Sequence, residues 1–135
     1  MMILNGLRYG SAVVWALPTT SLGLLLMAAA LATRGRVRHV GGVLEVHGGL
    51  VAWSLARLPL SRVAAITLGH VVLGIDGAAL DATRAHERVH VAQCERWGPY
   101  FLPAYALSSL WALMRGGHPY HDNAFEREAC TRVAE

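Results

Sequence analysis

Residues 84–98 read RAHERVHVAQCERWG, and the fold turns on whether that run is a helix. A helix there is capped at its start by Asp81 or Thr83 and stopped by Gly98-Pro99. It sets His86 and His90 at i and i+4, one turn apart on one face. Two imidazoles so placed reach a single ion at about 2 Å, and Glu87 reaches the water on that ion as a general base. The competing reading is a solvated helix face that happens to carry His and Glu, so the rest of the chain has to decide.

Hydrophobic residues make up 54% of the 135 residues and charged residues only 16%, which directs attention to a membrane segment. Residues 11–32, SAVVWALPTTSLGLLLMAAALA, carry no charge and are long enough to cross a bilayer about 30 Å thick. The rival is a cleaved signal peptide ending at the Ala-rich run. A retained anchor fits better, because Arg34, Arg36 and Arg38 follow at once and basic residues beside a span tend to stay cytoplasmic. The net charge of +3 is modest and the arginines form no stripe, so nothing points to nucleic acid as a partner. Cys94 and Cys130 are too few for a disulfide framework and read as small buried hydrophobes.

Two units follow: an anchor with its flank at 1–35 and a minidomain at 36–135. VLEVHGGLVAWSL predicts two strands around a Gly48-Gly49 hairpin, and RVAAITLGHVVLGID another pair of β-branched runs with a bend at Gly69. Together they predict a small antiparallel sheet of three or four strands over 42–76. A second helix opens at Pro103 and ends at Gly116-Gly117, and a third begins near Asn123. The helix from Pro103 to Arg115 covers only about 20 Å, too short for a span, and is expected to be interfacial or buried. The fold class is therefore α+β: an N-terminal transmembrane helix, a small antiparallel sheet and three helices carrying a zinc site.

Two histidines leave a catalytic zinc one protein ligand short. His118, His121, Glu126 and Glu128 are the downstream candidates, and Glu126 also sits where a capping box with Asn123 would put it. Positions 126 and 128 face opposite ways on a helix, so Glu128 is expected to point away and pair with Arg132. No third histidine follows His90 at the metzincin spacing. His118, Tyr120 and His121, in GGHPYHDN, are candidates to stabilise an oxyanion. Gln93 shares the His90 face and is a candidate to brace a ligand, Trp97 reads as core, and His39, His47 and His70 read as structural or solvated.

HERVH, followed after 35 residues by EREAC, resembles the H-E-x-x-H … E-x-x-A-D pattern of gluzincin metallopeptidases, closest in flavour to membrane-embedded CAAX-prenyl and heat-shock-type proteases. The run from HERVH to EREA is also similar to a group of small bacterial membrane-anchored proteins of unassigned function. The resemblance spans roughly residues 63–130 and implies His86, His90 and Glu126 as zinc ligands and Glu87 as base. One position departs: the pattern's aspartate, which orients a ligand histidine, falls on Cys130, and Asp122 is the candidate carboxylate to replace it. In such peptidases an edge strand pairs with extended substrate, a place that HVVLGID occupies here. The expectation is a zinc peptidase of the bacterial inner membrane with a cytoplasmic C-terminal domain and a peptide or protein substrate. The alternative is a non-catalytic, zinc-stabilised membrane scaffold.

Overall fold

The computed structural model describes residues 2–58 and 63–135, and the architecture is α+β. Helix α1 (Met2–Ala32) leads into strands β1 (Arg36–Val40) and β2 (Val43–His47), a short helix α2 (Gly49–Leu55), and strands β3 (Ala65–Leu68) and β4 (Val71–Gly74). Helix α3 (Gly77–Trp97), a 3-10 turn (Gly98–Tyr100), α4 (Phe101–Met114) and α5 (Ala124–Ala134) complete the described chain.

The sheet runs β1-β2-β4-β3 and is mixed, which corrects the antiparallel expectation. β1 pairs antiparallel with β2, and β3 with β4, but β2 and β4 lie parallel, with Leu44 opposite Val71. The reason is Gly49–Leu55, which is a helix and not the return strand of a hairpin. Gly48 and Gly49 both take positive φ, and a Cβ on Gly49 would sit 2.6 Å from Thr33 Oγ1. The glycine pair therefore turns the chain against the end of α1. α2 then carries it to the far edge of the sheet, as a parallel pairing requires.

β1 lies outside the predicted sheet limits. Its RVRHV sequence is charged, and its burial pattern is that of an edge strand. At Gly69 the expected bend is a tight turn between β3 and β4, with φ +64° and no room for a side chain beside Thr20. HVVLGID, expected at the edge, forms the inner strand β4, and the two edges belong to β1 and β3.

α1 is long and apolar enough, over Arg8–Ala32, to cross a membrane. It does not stand clear of the domain. Ala16 and Ala30 are fully buried, Thr20 Oγ1 accepts from the His70 amide at 3.1 Å, and a Cβ on Gly23 would strike Val71. Small residues at helical spacing form the docking stripe, while Val14, Leu17 and Leu25 face outward. Two clusters stand on α1: Ala30 with Val46, Leu68, Val71 and Leu73, and Ala16 with Cys94, Phe101 and Phe125. The second joins α1, α3, α4 and α5, and so fixes the helices that frame the candidate site.

α3 is capped earlier than Asp81 or Thr83 would place it, by Asp76, whose Oδ1 accepts from the Ala79 amide at 2.7 Å. It ends at Gly98, as its sequence predicts. α4 starts two residues before Pro103, and α5 is capped by Asn123, whose Oδ1 accepts from the Phe125 amide.

Candidate metal centre

α3 and α5 bring His86, His90 and Glu126 together, with ligand atoms all within 4.8 Å of one another. His86 Nε2 lies 2.8 Å from Glu126 Oε2 and 3.1 Å from His90 Nε2, and His90 Nε2 lies 3.2 Å from Glu126 Oε1. Tetrahedral ligands at about 2.05 Å from zinc stand about 3.3 Å apart. The two imidazole nitrogens meet different oxygens of the Glu126 carboxylate, and the spacings of this cluster, which we call the triangle after its three residues, come near that value.

The protonation pattern fits a cation as well. Gln93 Nε2 donates to Phe125 O at 3.1 Å and to Glu128 Oε2 at 2.8 Å, which fixes the orientation of the amide. Gln93 Oε1 must then accept from His90 Nδ1, 2.8 Å away. With the proton held on Nδ1, a neutral His90 presents its Nε2 lone pair to the centre of the triangle. Burial opposes the charged form of His90, but the hydrogen bonds and charge of Glu126 prevail and raise its pKa. Burial likewise works against the Glu126 carboxylate. The hydrogen bonds from His86, His90 and Tyr105 override it and hold the group well below the carboxylate range. A buried carboxylate facing two imidazoles needs a positive charge, and either a proton or a divalent cation supplies it.

Glu126 is not spent on a capping box. The Asn123 amide donates to Tyr120 O, and the Glu126 carboxylate turns to the histidines. Glu128 pairs with Arg132 Nη2 at 2.8 Å, as expected, but it does not turn away from α3: its carboxylate also accepts from Gln93 and meets Arg96, while staying clear of both histidines.

Glu87 sits beside the triangle on the wall of a cavity of about 150 Å³, together with His90, Glu126, Thr67, Tyr105 and Tyr120. Thr67 Oγ1 donates to Glu87 Oε2 at 2.6 Å. Burial raises the Glu87 pKa and the Thr67 bond only partly offsets it. Of the GGHPYHDN residues, Tyr120 alone lines the cavity. Burial, then the charge of Glu126, pushes its hydroxyl pKa up. His118 and His121 are exposed, and His118 Nδ1 accepts from the Tyr120 and His121 amides, so this loop turns them away from the triangle.

Asp122 does not stand in for the aspartate of the E-x-x-A-D pattern. Its carboxylate accepts from the His118 amide, inside the loop. Cys130 is exposed, contrary to the buried reading, because it lies on the solvent side of α5; Cys94 is buried. Trp97 is 40% exposed, not core, although its ring meets the Phe125 edge. His70 is structural and bonds to Glu95 at 2.8 Å.

Two contributors carry no sequence signal. Tyr105 Oη donates to Glu126 Oε1 at 2.6 Å, and Thr67 reaches Glu87 from the sheet. Each is an ordinary residue in its own element, and only packing gives it a partner. The one available hint is a tyrosine and two serines inside an otherwise apolar helix. No protein-family model matches the chain, and comparison with curated proteins and with solved structures yields no match.

Proposed function

We propose that this chain is a membrane-anchored zinc peptidase of the gluzincin type. The observation that carries the reading is the His86–His90–Glu126 cluster, two of whose members, His90 and Glu126, line a largely apolar cavity together with buried Glu87. His86, His90 and Glu126 would hold the zinc, which when bound would polarise a carbonyl and lower the pKa of a bound water toward 7. Glu87 accepts the proton of the attacking water. Its Oε2 is engaged by Thr67, which leaves Oε1 for that proton. The raised pKa suits the role, since a base works best near the ambient pH. Tyr120, on the cavity wall, offers a hydroxyl to the negative charge that develops on the carbonyl oxygen. α1 supplies the anchor. Its docking stripe supports retention after synthesis, because cleavage after the Ala-rich run would uncover Leu68 and Val71.

A second reading, a zinc-stabilised scaffold without catalysis, is favoured by two observations. Among the described residues no hydrogen bond reaches His86 Nδ1, and Cys130 leaves the aspartate position of the pattern unfilled.

Metal analysis of the purified full chain should find about one zinc, lost on His86→Ala or His90→Ala. Glu87→Gln should keep the metal and abolish cleavage of a broad peptide library. Metal loss in Glu87→Gln with retention in His86→Ala defeats the assignment. Zinc in both the wild type and Glu87→Gln, with cleavage in neither, selects the scaffold.

A further inference from the structure

α4 is built inside out. Leu107, Leu110, Trp111 and Met114 recur at i, i+3, i+4 and i+7, so they form one stripe, and they are 66%, 52%, 60% and 72% exposed. The opposite face carries the polar groups. Tyr105 Oη donates to Glu126, Ser109 Oγ accepts from Asn123 Nδ2 at 2.8 Å, and Ser108 Oγ accepts from the Ala124 amide at 2.9 Å. A helix on a water-facing surface shows the reverse arrangement.

Two features name what covers the stripe. At the end of α4 the Arg115 guanidinium lies 5.6 Å from the Trp111 ring centroid, and at the end of α2 Arg57 lies 4.0 Å over Trp53. A tryptophan with a guanidinium over its ring sets an apolar surface beside a cation, which suits the headgroup level of an anionic bilayer. The surface is also continuous with α1. Trp15 packs on Tyr100, just before α4, with ring centroids 5.9 Å apart, and both side chains are exposed.

We infer that α4 lies in the membrane interface, with Leu107, Leu110, Trp111 and Met114 in the acyl region and Arg115 among the phosphates. At 14 residues it is about 21 Å long and cannot span. It is an in-plane helix with its apolar face in lipid. The domain is thus held to the bilayer along two elements, and α4 meets lipid on one face and Glu126 on the other. This docking does not depend on the metal reading.

Spin labels on the full chain in nanodiscs of phosphatidylcholine and phosphatidylglycerol test it. Cys130→Ser removes the exposed thiol, while Cys94 is buried and its thiol, raised to about 12 by burial, stays unlabelled. Labels at Leu110→Cys and Met114→Cys should show an oxygen-to-nickel collision ratio several-fold higher than a label at Arg127→Cys on the exposed side of α5. Equal ratios at the three positions overturn the inference. So does exclusion of both reagents at 110 and 114, which means that a second copy covers the stripe. Without any label, Trp111→Phe should remove emission that brominated lipid quenches. If the lost emission is instead quenched by aqueous iodide, α4 is not in lipid.

Discussion

The two halves of α3 each face a buried glutamate from another element, and the two are balanced differently. On the N-terminal half, Glu45 of β2 is 2% exposed and is met by Arg84 at 2.8 Å and Arg38 at 2.8 Å, with Asp81 tying the guanidiniums together. From the middle of α3 onward, Glu126 of α5 is 5% exposed and is met by His86 and His90. Arginine carries its charge at every accessible pH, so the Glu45 cluster is complete by itself. Histidine does not, so the Glu126 cluster needs a proton or a metal. The same helix holds a self-sufficient ionic cluster and one that could hold a metal.

The sharpest way to break this comparison is to neutralise each glutamate in turn. Glu45→Gln leaves two guanidiniums facing an uncharged amide. It should cost about 3 kcal/mol of stability, near the lower bound for a broken buried pair because both arginines are a third exposed. Zinc content should not change. Chemical denaturation followed by metal analysis reads both, and loss of metal would mean that the two halves of α3 are not independent.

The Glu45 pairing also sets a pH profile. The hydrogen bond from Arg84 outweighs burial and, with Arg38, places the carboxyl below its ordinary 4.5. A depressed carboxyl stabilises the fold above that value, and the contribution fades as pH falls through the folded-state pKa. Unfolding midpoints between pH 6 and about pH 3 should fall more steeply in the wild type than in Glu45→Gln. Parallel curves would remove Glu45 as the source.

Glu126→Gln should have the opposite signature. The anionic donor becomes a weak amide oxygen, and zinc affinity should drop about 10-fold or more. Stability of the metal-free protein should change far less than in Glu45→Gln, since the imidazoles can remain neutral once the carboxylate is gone. Competition with a chelator gives the affinity. Unchanged binding would place the third ligand elsewhere.

The residues that were legible in the sequence share a property: their geometry is local. His86, Glu87 and His90 sit within one helical turn, and the Asn123 cap and the Glu128–Arg132 pair follow from a single helix. What was not legible depends on neighbours distant in the chain. GLVAWSL is a short apolar run, which periodicity alone cannot divide between strand and helix. Thr33 and Ala30, pressed against Gly49, decide for the helix and so make the sheet mixed. β1 was hidden by its arginines, which read as a flank until Glu45 pairs one of them. His118 and His121 looked as competent as Tyr120 because spacing does not say which way a loop closes; the amides that His118 accepts turn it outward.

The smallest expected effect concerns how far the ligand set extends. Glu128 touches no ligand, yet its Oε2 accepts from Gln93 Nε2, and Gln93 fixes the proton on His90 Nδ1. Two accounts of that chain differ. If the charge of Glu128 passes through Gln93 to make His90 a better donor, Glu128→Gln should weaken zinc by nearly as much as removal of Gln93, a partner whose loss costs about 10-fold or more. If Glu128 only orients the amide, a glutamine side chain still accepts that hydrogen bond, and Phe125 O holds the second amide proton in either case. Geometry favours orientation. Glu128 is already engaged by Arg96 and Arg132, so little of its charge remains for His90. Glu128→Gln should therefore shift zinc affinity by no more than about 2-fold while Gln93→Ala shifts it by about 10-fold. Equal losses in the two variants would extend the electrostatics of the ligand set through Gln93 to Glu128, and the contrast with the self-contained Glu45 cluster would then be one of degree.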